Sequence, residues 1–121
     1  MRLELLDGEL AICRLEPGGE VPGWASGAFV AIVRSDEELS VVCDAAGVPE
    51  DVQADGKWRA LRVAGALDLA LTGVLIRILE PLEESEIPIF AVSSFDTDYV
   101  LVPGGRLDEA LAALAAAGFD L

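Results

Sequence analysis

With 121 residues the chain is long enough to bury one core or two very small ones, and 53% hydrophobic residues exclude a disordered chain. A formal net charge of −14, from 22 acids spread among 8 bases, leaves no basic stripe to displace counterions, which argues against nucleic acid or an anionic membrane as partner. Histidine is absent, which removes the usual general base near neutral pH, and the two cysteines have no CxxC spacing, so a zinc site lacks its ligand set.

Residues 1–7 place acids where a signal peptide needs an apolar core. The longest apolar run, 67–79, carries Asp68, Thr72 and Arg77 and is too short to span a bilayer. The expected location is therefore the cytoplasm. Residues 2–6 alternate as a short strand, Asp7-Gly8 turns, and residues 10–15 form a second strand. Residues 16–24, with two prolines and three glycines, cannot hold regular structure beyond a helical turn. Trp24 at its end either caps the core or lines a cleft. Residues 29–34 and 39–43 read as a hairpin across 35–38, apolar on both faces and hence largely buried. Cys13 and Cys43 each lie inside an apolar segment and read as core packing, with a redox role as the alternative. Residues 44–55 form a loop with room for one helical turn.

The strand at 57–63 ends at Gly65, and a helix follows. Leu71, Val74, Leu75, Ile78, Leu79 and Leu82 fall at i, i+3, i+4, i+7, i+8 and i+11, the stripe of an amphipathic helix. Pro81 marks its end or a kink, and Arg77 has Glu80 at i+3 for an ion pair. Residues 87–94 are apolar on both faces, as in a strand buried inside a sheet, and 99–102 form the next strand. Between them the polarity flips to Ser93, Ser94, Asp96 and Asp98. Such residues make ordinary hairpin turns, and on the rim of a sheet they also hold small polar ligands. Pro103-Gly-Gly105 then leads into a second helix with a Leu107, Ala110, Leu111 and Leu114 stripe. Asp108 and Glu109 suit its first turn, and Gly118 suits the left-handed residue past its end, with Phe119 folding back towards Leu114.

From residue 57 the order strand, helix, strand, strand, helix is the split βαβ, ferredoxin-like pattern without its last strand. Residues 1–56 repeat it in degraded form. The predicted fold is α+β: two tandem ferredoxin-like βαββαβ lobes, 1–56 degenerate and 57–121 the better-specified one, in one compact unit. Residues 2–6 are expected to supply the missing edge strand of the second lobe.

The segments Leu39-Ser-Val-Val-Cys43, Trp58-Arg-Ala-Leu-Arg-Val63, Leu71-Thr-Gly73 and Ile89-Phe-Ala-Val-Ser-Ser-Phe-Asp-Thr-Asp-Tyr-Val-Leu-Val102 together resemble the small bacterial tandem ACT-domain proteins. The same signature is similar to the C-terminal lobe of the CASTOR family of cytosolic arginine sensors. Where family members often carry Ser-Thr-Phe, this chain has Ser93-Ser94-Phe95, which keeps the hydroxyl. The resemblance implies a regulatory module that binds a free amino acid, not an enzyme, with no cofactor and with lobes paired in a homodimer. Carried over by motif, the ligand positions are Thr72 and Gly73 in one loop and Ser94, Phe95 and Asp98 in the other. A helix N-terminus with a glycine can meet a carboxylate, Asp98 can meet an ammonium, and Phe95 can cover the aliphatic part.

Each position has a plainer role open to it. Gly73 can serve close helix–sheet packing, Thr72 can flank a helix start, Phe95 can be core and Asp98 can close a turn. Asp96 with Asp98 lacks the further ligands a calcium loop needs. Arg77 would repel a cationic ligand if it reached the pocket. The competing function is a protein–protein interaction module with no small ligand.

Overall fold

The computed structural model describes residues 1–65 and 73–121. In chain order these hold strands β1 (Leu3–Leu5), β2 (Leu10–Leu15), β3 (Ala31–Arg34), β4 (Leu39–Asp44) and β5 (Gln53–Val63), then helix α1 (Val74–Glu84), strands β6 (Phe90–Ser93) and β7 (Asp98–Pro103), and helix α2 (Leu107–Ala116). The mixture is α+β, as the sequence pattern requires. Packing gathers the residues into two units, Gly8–Trp58 and Met1–Asp7 with Arg59–Leu121.

In the unit Gly8–Trp58 the strand order is β3-β4-β2-β5, all antiparallel. Alternation puts Ala11 and Cys13 of β2 on the same face as Leu39, Val41 and Cys43 of β4, and that face is buried. Loops cover it: Trp24, Ala25, Val48 and Val52 pack on this cluster, so Trp24 belongs to the core. A 3₁₀ turn at Ala45–Gly47 is the helical turn of this segment. Two expectations are corrected here. β5 starts at Gln53, because the partners of β2 jump from Trp58 opposite Leu10 to Asp55 opposite Ile12. The extra residue is a bulge at Gly56–Lys57, with Lys57 at φ 70°, where the sequence reading starts the strand. β3 is not buried: it pairs only with β4, and Val33 is 55% exposed, because its apolar residues lie on a sheet edge.

In the other unit β5 pairs antiparallel with β1, from Leu3 opposite Val63 to Leu5 opposite Leu61, and β7 and β6 follow on its other side. β6 and β7 form a hairpin in register from Phe90 opposite Leu101 to Ser93 opposite Asp98. The helices supply one wall of the core with Val74, Ile78 and Leu82 of α1 and Ala110 and Leu114 of α2. The sheet supplies the other with Leu3, Leu61, Val63, Val100 and Val102. Each valine, leucine or isoleucine among them contributes about 1.5–3 kcal/mol by leaving water. The α1 stripe is the predicted one from Val74 onward; Leu71 lies outside the described residues. Pro81 sits within α1 and does not end it, since the Ser85 N–H still donates to the Pro81 carbonyl at 3.3 Å. The Arg77–Glu80 pair is not formed; the ion pairs among the described residues are Arg62–Glu4 and Arg106–Glu109. At the end of α2, Gly118 takes φ 100° and the Phe119 N–H donates to the Leu114 carbonyl at 3.1 Å, which folds Phe119 into the core.

β6 is the second correction of burial. Read as a strand inside the sheet, it is an edge paired only with β7, and Ala91 and Ile89 are exposed. β7 is the interior strand, with Val100, Leu101 and Val102 fully covered.

Candidate functional site

The β6–β7 hairpin closes through its own polar side chains. The Ser94 N–H and Oγ both donate to the Thr97 carbonyl, at 2.8 and 3.0 Å, and the Thr97 N–H donates back to Ser94 Oγ at 3.3 Å. One step along the strands, Ser93 Oγ donates to Asp98 Oδ1 at 2.7 Å. Thr97, only 6% exposed, donates through Oγ1 to the Val63 carbonyl at 2.7 Å. That bond pins the hairpin tip to the end of β5, where the chain departs towards α1. A fixed loop of this kind holds side chains without an entropy cost at binding.

Phe95, at the tip, is 78% exposed, so it is not a core residue. Gly73 precedes α1 with φ 81°, a left-handed conformation that side chains disfavour, and a Cβ there would meet no atom within 4 Å. Close helix–sheet packing is therefore not what requires a glycine here. The Gly73 carbonyl accepts the first helical bond, from the Arg77 N–H at 3.3 Å. Gly73 offers no side-chain cap and no acid lies in the first turn of α1, so among the described residues no side chain competes with an anion for that turn's amides. Thr72 lies outside the described residues. The structure thus places Ser94, Phe95 and Asp98 together on one hairpin and Gly73 at the start of α1. Asp98 spends one carboxylate oxygen on Ser93, and the other has no hydrogen-bond partner among the described residues.

Two of the described cavities lie against the helices, away from these residues. One of about 480 Å³ opens between the helices, against Arg77, Glu80, Glu84, Ala113 and Phe119. The other, about 690 Å³, lies beside Leu79, Glu83 and the start of β6. Cys13 and Cys43 are buried free thiols; burial, with Cys43 beside it, pushes Cys13 up to about 11, and burial raises Cys43 as well. A reactive thiol needs the opposite, a lowered pKa and access. The hydrogen bond that Arg62 donates to the Glu4 carboxylate raises Arg62 above its ordinary value, with Tyr99 adding to it. Thr97 is the residue that sequence reasoning missed. A threonine between two aspartates in a turn reads as solvated, and nothing in the local pattern signals its burial.

An α+β unit with the strand order β1-β5-β7-β6, two helices supplying one wall of its core and a polar hairpin rim defines the ferredoxin-like class. The ACT domain family model matches residues 53–116, more than half of the chain, and the chain belongs to the ACT-domain family. A second family model, described only as an N-terminal domain, matches residues 8–51. Among solved structures, a protein from Agobacterium tumefaciens is 38% identical, with 99% of this chain and 90% of that chain covered and a TM-score of 0.93. A Vibrio cholerae protein described as of unknown function, possibly in transport, is 19% identical over 96% and 88% of the two chains, with a TM-score of 0.78. The regulatory subunit of aspartate kinase from Thermus flavus is 12% identical over 97% of each chain, with a TM-score of 0.67. The last two share the fold. No curated protein matches the chain.

Proposed function

We propose that the chain is a non-catalytic regulatory module that binds a free amino acid between the start of α1, at Thr72 and Gly73, and the hairpin residues Ser94, Phe95 and Asp98. The observation that carries this reading is the uncapped start of α1, with open space over Gly73. An α-carboxylate meets the amides of the first turn and the positive end of the helix dipole there. The ammonium is met by the free oxygen of Asp98, Ser94 orients it, and the exposed Phe95 ring covers the aliphatic part. Arg77, exposed one turn into α1, disfavours a cationic side chain on the ligand.

The same reading takes 1–56 and 57–121 as tandem lobes, the first degenerate, working as a cytoplasmic homodimer without nucleic acid or membrane. Full-length coverage by a regulatory subunit of aspartate kinase supports a detached regulatory role. The likeness to the CASTOR sensors rests on the motif at 89–102. A second reading, a protein–protein interaction module, is favoured by one observation: Phe95 is a large, exposed aromatic outside the described cavities.

A thermal-shift screen against the twenty amino acids separates the two. A ligand at a hundredfold excess over its Kd adds about 2.7 kcal/mol of stability, several degrees for a chain of this size. The sensor reading expects a selective rise that disappears in Asp98→Ala. A flat screen contradicts it and favours the interaction module.

A further inference from the structure

We propose that the cavity between α1 and α2 is a second binding site, and that it takes a short peptide with free termini, of dipeptide length. The site is separate from the hairpin rim and does not depend on the function read there. Along α2 its wall is Ala113, Ala116 and Ala117, followed by Gly118, so no long side chain fills the space. The volume that stays open, about 480 Å³, is of the size that holds a small ligand.

The charges around it give the cavity its chemistry. On the α1 side it meets Arg77, Glu80 and Glu84. Arg77 and Glu80 stand at i, i+3, the same order and spacing at which Arg106 and Glu109 form a bidentate ion pair, at 2.8 and 3.0 Å. Arg77 and Glu80 form no such pair, and the Glu84 carboxylate likewise has no partner among the described residues. One guanidinium and two carboxylates therefore border one cavity with their bonding capacity unspent. Pro81 lies between Arg77 and Glu84 on the same helix face and, with Phe119, supplies the apolar lining.

Reach selects the ligand. At 1.5 Å of rise per residue, the midpoint of Glu80 and Glu84 lies about 7.5 Å along α1 from Arg77. The ammonium and carboxylate of a single amino acid are separated by one Cα, too close to meet both groups. Two extended residues span about 7 Å. A dipeptide sets its carboxylate on the Arg77 guanidinium and its ammonium between Glu80 and Glu84, with its side chains over Pro81 and the alanines. A simple anion would face the two glutamates and a simple cation would face Arg77, so a molecule carrying both charges at this distance is matched best.

The test is a ¹⁵N chemical-shift titration of the full chain with L-alanyl-L-alanine, alongside its N-acetylated and its C-amidated forms. The proposal expects saturable shifts of the amides of Arg77, Glu84, Ala113 and Gly118, with those of Ser94, Phe95 and Asp98 unmoved. Arg77→Gln should raise the dissociation constant by about tenfold or more, and Glu80→Gln with Glu84→Gln should do the same, since each removes a charge-assisted partner. All three positions are exposed, so circular dichroism should be unaltered. Blocking either terminus of the dipeptide should weaken binding as much as the matching substitution, and Ala116→Leu should fill the cavity and abolish it. Shifts confined to the rim, the absence of a saturable shift, or an affinity that neither Arg77→Gln nor a blocked terminus reduces would overturn the peptide site. The rim reading is tested with single amino acids and is untouched by any of these results.

Discussion

Replacing Thr97 by valine keeps the shape of the side chain and removes one hydroxyl. In the native chain that hydroxyl donates to the Val63 carbonyl at 2.7 Å from a residue 6% exposed, so water cannot replace it without opening the hairpin. Leaving a buried carbonyl without its partner costs about 1–3 kcal/mol, and the matching shape of valine adds no cavity to that figure. At about 4 °C per kcal/mol for a chain of this length, melting should fall by about 4–12 °C. Urea unfolding followed by circular dichroism should give a lower midpoint at unchanged slope, since the surface exposed on unfolding is the same. Because the bond pins the tip that carries Ser94 and Phe95, the variant should also bind any rim ligand more weakly. A Thr97→Val chain with the midpoint of the wild type would refute the claim that this bond anchors the hairpin.

Deleting residues 1–6 strips β1 from β5 and uncovers the core around Leu3, which is 2% exposed. The loss is at least the ~2 kcal/mol of burying that leucine, so melting should drop by many degrees, and an unchanged melt would contradict the pairing. The thiols make a prediction in alkali. Cys13 is held up at about 11 in the folded chain against an ordinary 9.0, so between those values the unfolded chain releases a proton that the folded chain keeps. Its contribution is complete below pH 9 and is lost as pH rises through 11, at up to about 1.4 kcal/mol per pH unit. Cys13→Ala should flatten the stability–pH curve by that slope over this window; an equal slope in both proteins would show that the thiol ionises freely when folded.

Much of the fold is legible in the sequence because its periodicities are clean. β2 runs over residues 10–15 as its alternation predicts, and α1 follows the stripe of Val74, Ile78 and Leu82. The end of α2 is specified by Gly118 and Phe119 together. The misreadings share one cause. Strands β3 and β6 are apolar on both faces, and local pattern alone cannot tell a strand covered by its own fold from an edge left bare. Likewise the residues before Lys57 carry the composition of a loop, and only the register with β2 reveals a bulge inside a continuous strand from Gln53. At the candidate site the residue types are visible in the sequence, but their hydrogen bonds are not. Ser93 is committed to Asp98 and Ser94 to Thr97, and the anchoring role of Thr97 depends on Val63, which lies 34 residues earlier.

Amide chemical shifts of the ¹⁵N-labelled chain, titrated with each of the twenty amino acids, test the central claim most directly. The account predicts that one of them moves the amides of Gly73, Val74, Ser94, Phe95 and Asp98 in a saturable way, and that Asp98→Ala abolishes the change. Shifts confined to other residues, or none with any amino acid, would contradict a ligand site at this rim.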